Sequence, residues 1–365
     1  MKAIKLFAIL TSALLCNFGL QSQNYIAVQH GSTLTQYTTL DAAITGAQDG
    51  DNVYIPGGSF NLSVDIFKKL FIYGAGYYPG MTSVTNETII QNSLTVTSGA
   101  DGGLLTGVHI TGTMKFGTAV SNQIVNDYSV RRCKIDGALA LSFDGSTTTS
   151  SNNFYISENI ILGSINGGNS QNPLIEKNIL QSYISDFMNG GIFRNNICLY
   201  DRYSTYCSQW MLNLQGFFGY SQPQKIVNCL FENNIFFTSL PLKRENQCGS
   251  DSYSEYCILN NNLFITNISF PYQTNLGSNN IIGQSQNTIF ENQTGNTFSY
   301  SHDYHLKSTC PGKNAGTDGN DVGIYGTLQP YKDGALPANP HISQKIISTE
   351  NNQINVNITV TAQDR

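Results

Sequence analysis

The feature that most constrains the fold of this chain is an asparagine that recurs in a short motif and is always followed by Ile or Leu. The motif asparagines recur at broadly similar intervals, and they are Asn159, Asn178, Asn196, Asn234, Asn262 and Asn280. Repetition of this kind is typical of stacked-coil architectures. We therefore predict one coil per interval. The long interval between Asn196 and Asn234 predicts an additional coil without the motif, in which Asn213 could replace the missing asparagine, and Cys133 holds the equivalent position in an earlier coil.

Asparagine suits a corner between two short strands for two physical reasons. The backbone must pass through the left-handed conformation there, which Asn tolerates better than other residues that carry a side chain. When coils stack at the strand spacing of about 4.8 Å, equivalent side chains lie above one another and can hydrogen-bond along the stack. We therefore predict an all-β fold, a right-handed parallel β-helix in which the motif asparagines form a structural ladder.

The two ends of the repeat region have signatures of their own. Residues 38–47 are predicted to form a short amphipathic helix. Its apolar face would cap the exposed end of the solenoid core, and that face consists of Leu40, Ala43, Ile44 and Ala47. After Gly326 a proline-punctuated linker leads to residues 353–362, which alternate apolar and polar side chains as a strand does. We predict that this β tail packs back on the helix, with docking to another protein as the alternative.

The first residues are predicted to be a secretory signal peptide, because a basic start at Lys2 and Lys5 precedes an apolar run that is too short to span a bilayer. The alternative is a lipid anchor at Cys16, although Ala13-Leu14-Leu15 lacks the small residue expected just before a lipidated cysteine. The predicted organisation is therefore a signal peptide at 1–22, a β-helix domain at 23–326, and a linker with a short β tail at 327–365. We expect a secreted, extracellular or cell-surface protein without a membrane span.

The charge content argues against nucleic acid as a partner. Only 12% of the 365 residues are charged and the formal net charge is -5, against roughly 25% charged residues in an average soluble protein. The longest basic runs in the sequence are pairs, so the electrostatic footprint of a nucleic-acid-binding surface is missing from the sequence. We expect a monomer.

Two cysteine loops share one pattern. Cys198 to Cys207 and Cys248 to Cys257 both fit C-x-x-D/S-x-Y-S-x-Y-C. Because exported chains can keep disulfides, these four cysteines are candidates for two loop-closing bridges. A rival hypothesis is that Cys229 and Cys257, which stand at the same distance before a ladder asparagine, stack on adjacent coils, bonded or not. No cysteine or histidine spacing indicates a structural metal.

Three segments carry a family resemblance. Residues 42–60, the repeated Asn-Asn-Ile coils and the glycine-rich run 308–326 resemble secreted bacterial right-handed β-helix proteins of the pectin-lyase-like superfamily, over about residues 38–326. The resemblance implies the fold and a polysaccharide or glycan partner, whereas activity varies among the lyases, glycosidases and adhesins of that superfamily. A lyase needs a Lys or Arg base and a cation, Ca²⁺ among them, to stabilise the enolate. A hydrolase needs two or three carboxylates.

The cysteine loops are the predicted site, because charged and aromatic residues cluster there. The candidate catalytic residues are Asp201, Arg202, Lys243, Arg244 and Glu245. The candidate ligand-binding residues are Tyr203, Tyr206, Trp210, Tyr253 and Tyr256. The alternative is that the loops are disulfide-closed turns with packed tyrosines and a solvated charged rim. Arg131 to Lys134 also places three cations on one predicted strand, and Asp318 and Asp321 could bind Ca²⁺, although surface and turn roles explain both.

The leading hypothesis is an extracellular β-helix that binds a polysaccharide or cell-surface glycan, with its catalytic status unresolved. One alternative is a lyase or glycoside hydrolase that acts on an acidic polysaccharide. Another is a structural adhesin or surface component. No cofactor is expected beyond Ca²⁺ in the lyase case.

Overall fold

The chain is nearly all β, with long parallel sheets and a short helix near its N-terminus. The structure is a computed structural model. It describes residues 24–118, 123–142, 151–185, 188–200, 212–213, 226–237, 243–244, 252–265, 267–271, 273–334, 336–338, 340–351 and 353–362. None of the helices within these described ranges is long and apolar enough to cross a membrane.

Three sheets run along the molecule, and successive coils add short strands to them in turn. The first sheet has twelve strands, in the order Thr33–Tyr37, Ile26–His30, Asn52–Tyr54, Phe71–Tyr73, Leu104–Thr106, Ser129–Arg131, Tyr155–Ser157, Leu174–Glu176, Ile192–Arg194, Leu230–Glu232, Ile258–Asn260 and Leu276–Ser278. The second has nine, from Gly58–Asn61 through Thr88–Gln91, His109–Ile110, Lys134–Ile135, Ile160–Ile161, Ile179–Leu180, Ile197–Cys198 and Ile235–Phe236 to Leu263–Phe264.

The third sheet has six strands, Leu94–Val96, Met114–Phe116, Leu139–Ala140, Ile165–Asn166, Ile184–Ser185 and Leu212–Asn213. A smaller sheet joins Ser170–Gln171, Met188–Asn189 and Ile226–Val227. Two short antiparallel pairs are Lys243–Arg244 with Ser252–Tyr253, and Phe290–Asn292 with Asp303–Leu306. A 3-10 turn spans Gln286–Thr288. From Asn52–Tyr54 onward the strands of the three long sheets pair in parallel, which is consistent with the predicted parallel β-helix, whereas Ile26–His30 pairs antiparallel with both of its neighbours.

The core lies between the sheets, because alternate side chains of each strand point inward. In the three-residue strands of the first sheet the middle residue is buried, as are Val130, Ile156 and Ile175, except in the last strand, where Gly277 is partly exposed. Equivalent rings also stack between coils, with 4.7 Å between the ring centroids of Phe193 and Phe231. The apolar residue at the centre of each short strand is thus what holds neighbouring coils together.

The predicted asparagine ladder is confirmed. Each ladder asparagine after Asn159 accepts hydrogen bonds at Oδ1 from the backbone N–H and the side-chain amide of the asparagine one coil earlier, at 2.9 to 3.1 Å. Asn159 accepts in a similar way from the backbone N–H of Cys133. The prediction of an extra coil between Asn196 and Asn234 was wrong, since these two asparagines bond directly. Asn213 lies instead in the third sheet, paired with Ser185.

The left-handed residue of each corner is not the ladder asparagine, as the sequence suggested, but the residue before it. These residues have φ between 49° and 59°, and they are Arg132, Glu158, Lys177, Asn195, Asn233, Asn261 and Asn279. The two adjacent residues have different roles. One residue turns the chain, and the next then points its amide into the interior, where it satisfies buried backbone groups.

The capping helix is confirmed at Leu40–Gly46, within the predicted segment. It begins after Thr39, whose hydroxyl accepts a hydrogen bond from the backbone N–H of Ala42 at 3.2 Å. All four residues of the predicted apolar face are buried in the core. The helix therefore covers the apolar core at the N-terminal end of the sheets, which is the position expected of a cap.

Residues 308–334 and 336–338, here called the strap, run back over the outside of the coils. The left-handed corner residues hold the strap in order along its length: Asn261 donates to the Ala315 carbonyl at 2.8 Å, Lys177 to Gln329 at 3.1 Å, and Arg132 to Leu336 at 2.8 Å. Strap residues also pack on the outward face of the second sheet, where Ile160, Ile179, Ile197, Ile235 and Leu263 form a second core with Val322, Ile324 and their neighbours. The strap therefore closes that face of the molecule.

The described chain ends in a hairpin of two strands, His341–Glu350 and Gln353–Thr361. The sequence predicted only the second of these strands. The hairpin side chains are exposed along nearly their whole length rather than buried against the coils, including Ile347, Ile354 and Val356.

Candidate functional site

The outer face of the first sheet carries a column of aromatic, charged and polar side chains, one from each coil. These side chains come from the third residue of successive strands, which points away from the core. The strand register places them next to one another, and they are Tyr54, Tyr73, Thr106, Arg131, Ser157, Glu176, Arg194, Glu232, Asn260 and Ser278. We call this set the outer column.

The N-terminal end of the outer column is aromatic. The rings of Tyr54 and Tyr73 stack with their centroids 5.4 Å apart and an interplanar angle of 19°. They border a cavity of about 510 Å³ that Phe71, Arg131 and Pro340 also line. A half-exposed pair of stacked rings at the mouth of a cavity offers a flat apolar surface with hydroxyl groups at its rim.

The middle of the outer column is charged, with alternating sign along Glu176, Arg194 and Glu232. The Glu176 carboxylate accepts a hydrogen bond from the Tyr155 hydroxyl and another from Arg194 Nε, each at 2.7 Å. The ammonium of Lys177 lies 3.5 Å from the same carboxylate. Although burial alone would raise the pKa of Glu176, the hydrogen bonds and the two cations outweigh it and lower the pKa below its ordinary value.

Arg131 lies nearer the aromatic end of the column and packs over an aromatic ring. Its guanidinium lies 5.2 Å from the centroid of the Tyr155 ring and 3.5 Å from a carboxylate oxygen of Glu158. Its neighbour in sequence, Arg132, is buried and ion-paired with Glu158 at 3.0 Å. The three cations of this run therefore point in three directions: Arg131 lies in the outer column, Arg132 contacts the strap, and Lys134 lies in the second sheet.

A second cavity, of about 320 Å³, lies over the charged part of the column. Tyr155, Glu176, Arg194 and Glu232 line it on one side, and strap residues such as Asp318 line it on the other. The two cavities occupy neighbouring stretches of one face, and the strap borders the first through Ala338. The two cavities lie in line on one face, with the buried Ser157 between them, and we call them together the groove, which has an aromatic end and a charged end.

The surroundings of Glu176 do not suit a general acid. A general acid for neutral pH needs a raised pKa, whereas the pKa of Glu176 is lowered and its oxygens already contact three donors. Within the part of the chain that the structure describes, no group of three or more His, Cys, Asp or Glu side chains is placed to hold a metal ion. Asp321, one of the Ca²⁺ candidates, instead accepts from Asn314 N–H and Lys313 and so stabilises a turn.

A second polar cluster lies on the outward face of the second sheet, just before that face becomes apolar. His109 Nε2 is 2.8 Å from Asp136 and its Nδ1 is 3.4 Å from Glu87. Lys134 contacts the Asp136 carboxylate as well. Burial would raise the pKa of Asp136, but Lys134 and His109 lower it overall. The contacts of His109 join side chains of neighbouring coils, so we assign this cluster to the stability of the fold.

Most of the predicted site residues lie outside the described residues. These are Asp201, Arg202, Tyr203, Tyr206, Cys207, Trp210, Glu245 and Cys248. For Lys243, Arg244 and Tyr253 the backbone is described, and it pairs Lys243 with Tyr253 in an antiparallel ribbon. Tyr256 is 62% exposed with φ at 55°. That the cysteine loops form a site thus stays a prediction. Two of its candidate residues, Lys243 and Tyr253, are paired across neighbouring strands.

The loop-closing disulfides are not supported: the two candidate cysteines that the structure describes are free thiols, and their predicted partners Cys207 and Cys248 lie outside the described residues. Cys198 and Cys257 are both buried inside the coils, and neither forms a disulfide. The reason is strand alternation. Cys198 follows an outward Ile197 and therefore points inward, and Cys257 precedes the strand Ile258–Asn260 with its thiol in the interior. The spacing of the loop cysteines could not reveal which way their side chains point.

The outer column was not predicted, although the sequence contains a signal for it. Each of its charged members stands two positions before a ladder residue, as Glu176 stands before Asn178 and Arg194 before Asn196. Counting back by two from the ladder residues would have identified the column from Arg131 to Ser278, although not Tyr54, Tyr73 and Thr106, which no ladder residue follows. The charges there are single residues in separate coils and form no cluster in sequence, whereas the cysteine loops concentrate theirs.

No family model matches the sequence, and no curated protein matches it. Among solved structures, the chain is similar to a mutant alginate lyase of polysaccharide lyase family 6, with 12% identity, a TM-score of 0.26, and coverage of 80% of this chain and 58% of the lyase. It is also similar to the catalytic domain of an α-1,3-glucanase of glycoside hydrolase family 87, solved with tetrasaccharides and with nigerose, with 12% identity, a TM-score of 0.28, and coverage of 74% and 68%. The chain therefore spans less than two thirds of the lyase. With TM-scores this low, the evidence for the fold is the strand pairing of the chain itself.

Proposed function

We propose that this chain is an exported right-handed parallel β-helix protein, of the pectin-lyase-like kind, that binds a polysaccharide or cell-surface glycan along the outer column. The observation that carries the proposal is the groove itself. From Asn52–Tyr54 to Leu230–Glu232 it crosses eight strands, or about 34 Å at the spacing of neighbouring strands. That length suits an extended chain of several sugar rings.

The chemistry of the groove suits sugars. The stacked rings of Tyr54 and Tyr73 can pack against the apolar face of a sugar ring, with hydroxyl groups placed near its polar edge. Arg131, Arg194 and Glu232 offer charged donors and acceptors to sugar hydroxyls or to the carboxylates of an acidic glycan. Because Glu176 is engaged by its neighbours, the charges are held in place before a ligand arrives, which reduces the entropy lost on binding.

Affinity electrophoresis tests the proposal. The mature protein is run through gels that contain pectate, alginate, a glycosaminoglycan or a neutral glucan, and retardation gives Kd. Tyr73→Ala and Arg194→Ala should each weaken binding by about tenfold, the effect of roughly 1.4 kcal/mol. Lys307→Ala, which removes a cation whose ammonium bonds the Asn287 carbonyl away from the column, is the matched control and should leave Kd unchanged.

The same gels separate this site from the cysteine loops. If Arg202→Ala and Lys243→Ala abolish retardation while Tyr73→Ala and Arg194→Ala do not, the loops bind the glycan and the outer column does not. Ultraviolet absorbance of unsaturated products during incubation with the uronate polymers tests the lyase alternative directly. Product formation would replace the binding function by an enzymatic one.

A further inference from the structure

Cys229 and Cys257 lie directly above one another on adjacent coils. Both immediately precede strands of the first sheet, and the register pairs Leu230 with Ile258, the residue after each. The backbone N–H of Ile258 donates to the Cys229 carbonyl at 2.9 Å, which confirms that the two cysteines occupy equivalent positions. Neighbouring parallel strands lie about 4.8 Å apart, within the Cα separation of roughly 4.4 to 6.8 Å that disulfides span.

The two sulfurs face each other in the interior. Cys229 and Cys257 are 1% and 0% exposed. Cys257 Sγ lies 3.6 Å from the Ile226 carbonyl and Cys229 Sγ lies 3.3 Å from that of Val227, so both thiols point at one short stretch of chain. The Cys229 thiol donates a hydrogen bond to the Cys257 sulfur, which raises the pKa of Cys229 and lowers the pKa of Cys257.

The coils on either side hold the pair in this position. On one side Gly191 occupies the equivalent place, and a side-chain carbon there would sit 3.4 Å from Cys229 Sγ. On the other side Asn275 accepts a hydrogen bond from the backbone N–H of Cys257 at 3.0 Å and donates to the Ser254 carbonyl. Among the described residues, the coils on either side have Gly191 and Asn275 at this position. Cys229 and Cys257 are therefore the only neighbouring cysteines in this stack of described residues.

We propose that Cys229 and Cys257 are an oxidation site at which the folding chain forms an inter-coil disulfide. The oxidant is a disulfide-bearing molecule, such as oxidised glutathione. The Cys257 thiolate attacks one sulfur of the oxidant, forms a mixed disulfide and releases the other half as a thiol. The Cys229 thiolate then attacks the Cys257 sulfur and releases the second half. One S–S bond forms, two protons and two electrons pass to the oxidant, and two oxidant thiols leave.

The bridge would close the loop between Cys229 and Cys257. That loop contains the ribbon of Lys243–Arg244 and Ser252–Tyr253, so the bond would pin both ends of the segment in which the sequence predicts a site. It would also fix the strand Leu230–Glu232 to the next coil, at the charged end of the outer column. The pairing differs from the loop-closing bridge of Cys257 with Cys248 that the sequence spacing suggested.

The test uses the mature full-length protein, unfolded under reducing conditions and refolded with oxidised glutathione. Non-reducing digestion and mass spectrometry should find one linked pair of peptides that contains Cys229 and Cys257, lighter by two hydrogens than the free pair. The thermal unfolding midpoint should rise on oxidation and return when dithiothreitol is added.

Matched variants make the assignment specific. Cys198→Ser, which alters another buried thiol, should keep the linked peptides, and Cys229→Ser should lose both the linkage and the redox-dependent midpoint. Linkage of Cys257 to Cys248 in the wild-type protein, or full alkylation of every thiol after refolding, would overturn the proposal. The wild-type map decides the matter even where Cys229→Ser does not fold.

Discussion

Replacement of Asn196 by Ala tests whether the asparagine ladder stabilises the fold by satisfying buried backbone groups. Asn196 is 1% exposed and lies in the middle of the ladder. Its Oδ1 accepts from the backbone N–H and the side-chain amide of Asn178, each at 3.0 Å. Its own amide donates to the Ile175 carbonyl and to Asn234, each at 2.9 Å.

The magnitude follows from what the substitution leaves without a partner. The Asn178 amide keeps its bonds to the Ile156 and Glu176 carbonyls, and Asn234 Oδ1 keeps the backbone N–H of residue 196. The backbone N–H of Asn178 loses its partner, whereas the Ile175 carbonyl loses the Asn196 amide but keeps its place in the strand pairing between Leu174–Glu176 and Ile192–Arg194. One stranded buried N–H at about 1 to 3 kcal/mol, with about 1 kcal/mol for the hydrogen bond lost at Ile175, predicts a loss of about 2 to 4 kcal/mol in the free energy of unfolding. That is a large part of a typical stability of about 5 to 15 kcal/mol.

Asn280→Ala is the matched control at the end of the ladder. Asn280 makes the same kinds of bond, to Asn262 and to the Leu259 carbonyl, but these bonds are only part-buried. Water can reach the groups that this substitution leaves behind, so the expected loss is about 1 kcal/mol or less. Equilibrium unfolding in urea, followed by circular dichroism, gives both values. Equal losses for the two variants, or a loss below about 1 kcal/mol for Asn196→Ala, would show that burial of unsatisfied groups is not what the ladder prevents.

Three further predictions use other features of the described chain. Gly163→Ala should lower the free energy of unfolding by about 1 to 3 kcal/mol, because a Cβ at Gly163 would lie 2.2 Å from the Gly137 carbonyl oxygen. The control is Gly80→Ala, where the nearest atom to the new Cβ is 3.8 Å away, and it should lower the free energy of unfolding by less than about 0.5 kcal/mol. Glu176 has a lowered pKa in the folded state, so its contribution is present above its ordinary pKa of 4.5 and is lost as pH falls through the folded value. The difference in unfolding midpoint between wild type and Glu176→Gln should therefore be largest near neutral pH and shrink in acid. Removal of residues 346–365, whose described side chains are exposed, should shift the thermal midpoint by less than about 2 °C, and a larger fall in calorimetry would mean that the hairpin supports the coils.

The fold was largely predictable because its repeating interaction is local in pattern. An amide that must satisfy the backbone of the previous coil recurs wherever a coil recurs, and Asn159 to Asn280 mark it in the sequence. The left-handed position was misplaced by one residue because Asn occurs at both places in several coils, as at Asn195 and Asn196, while Lys177 and Glu158 adopt the same conformation without being residues that favour it. The coil count failed in the long interval between Asn196 and Asn234 because an insertion and an unmarked coil have the same length in sequence.

The candidate site was less predictable, because it depends on which face is left open. The outward residues of a strand are fixed by the register, but the sequence of a coil does not say what covers them. The strap covers the second sheet, where the outward residues are Ile160, Ile179 and Ile197, and leaves a groove on the first, where they are Glu176 and Arg194. The path of a proline-containing and glycine-rich segment over the coils is set by contacts far apart in sequence, such as Lys177 with Gln329.

Ladder residues and some outer-column residues differ in how far they tie the coils together. Ladder residues are tied to the coil before and the coil after, so a change at Asn178 or Asn196 affects two coils at once. A column residue such as Glu232 contributes no side-chain bond to the ladder, and it lines the groove. In the coil of Glu232, the residue that joins the coils and the residue that lines the groove are therefore two positions apart, whereas Glu176 both lines the groove and forms ion pairs. If the outer column binds a glycan as proposed, a change of specificity would require new residues at column positions such as Glu232, with the ladder and the strap contacts kept.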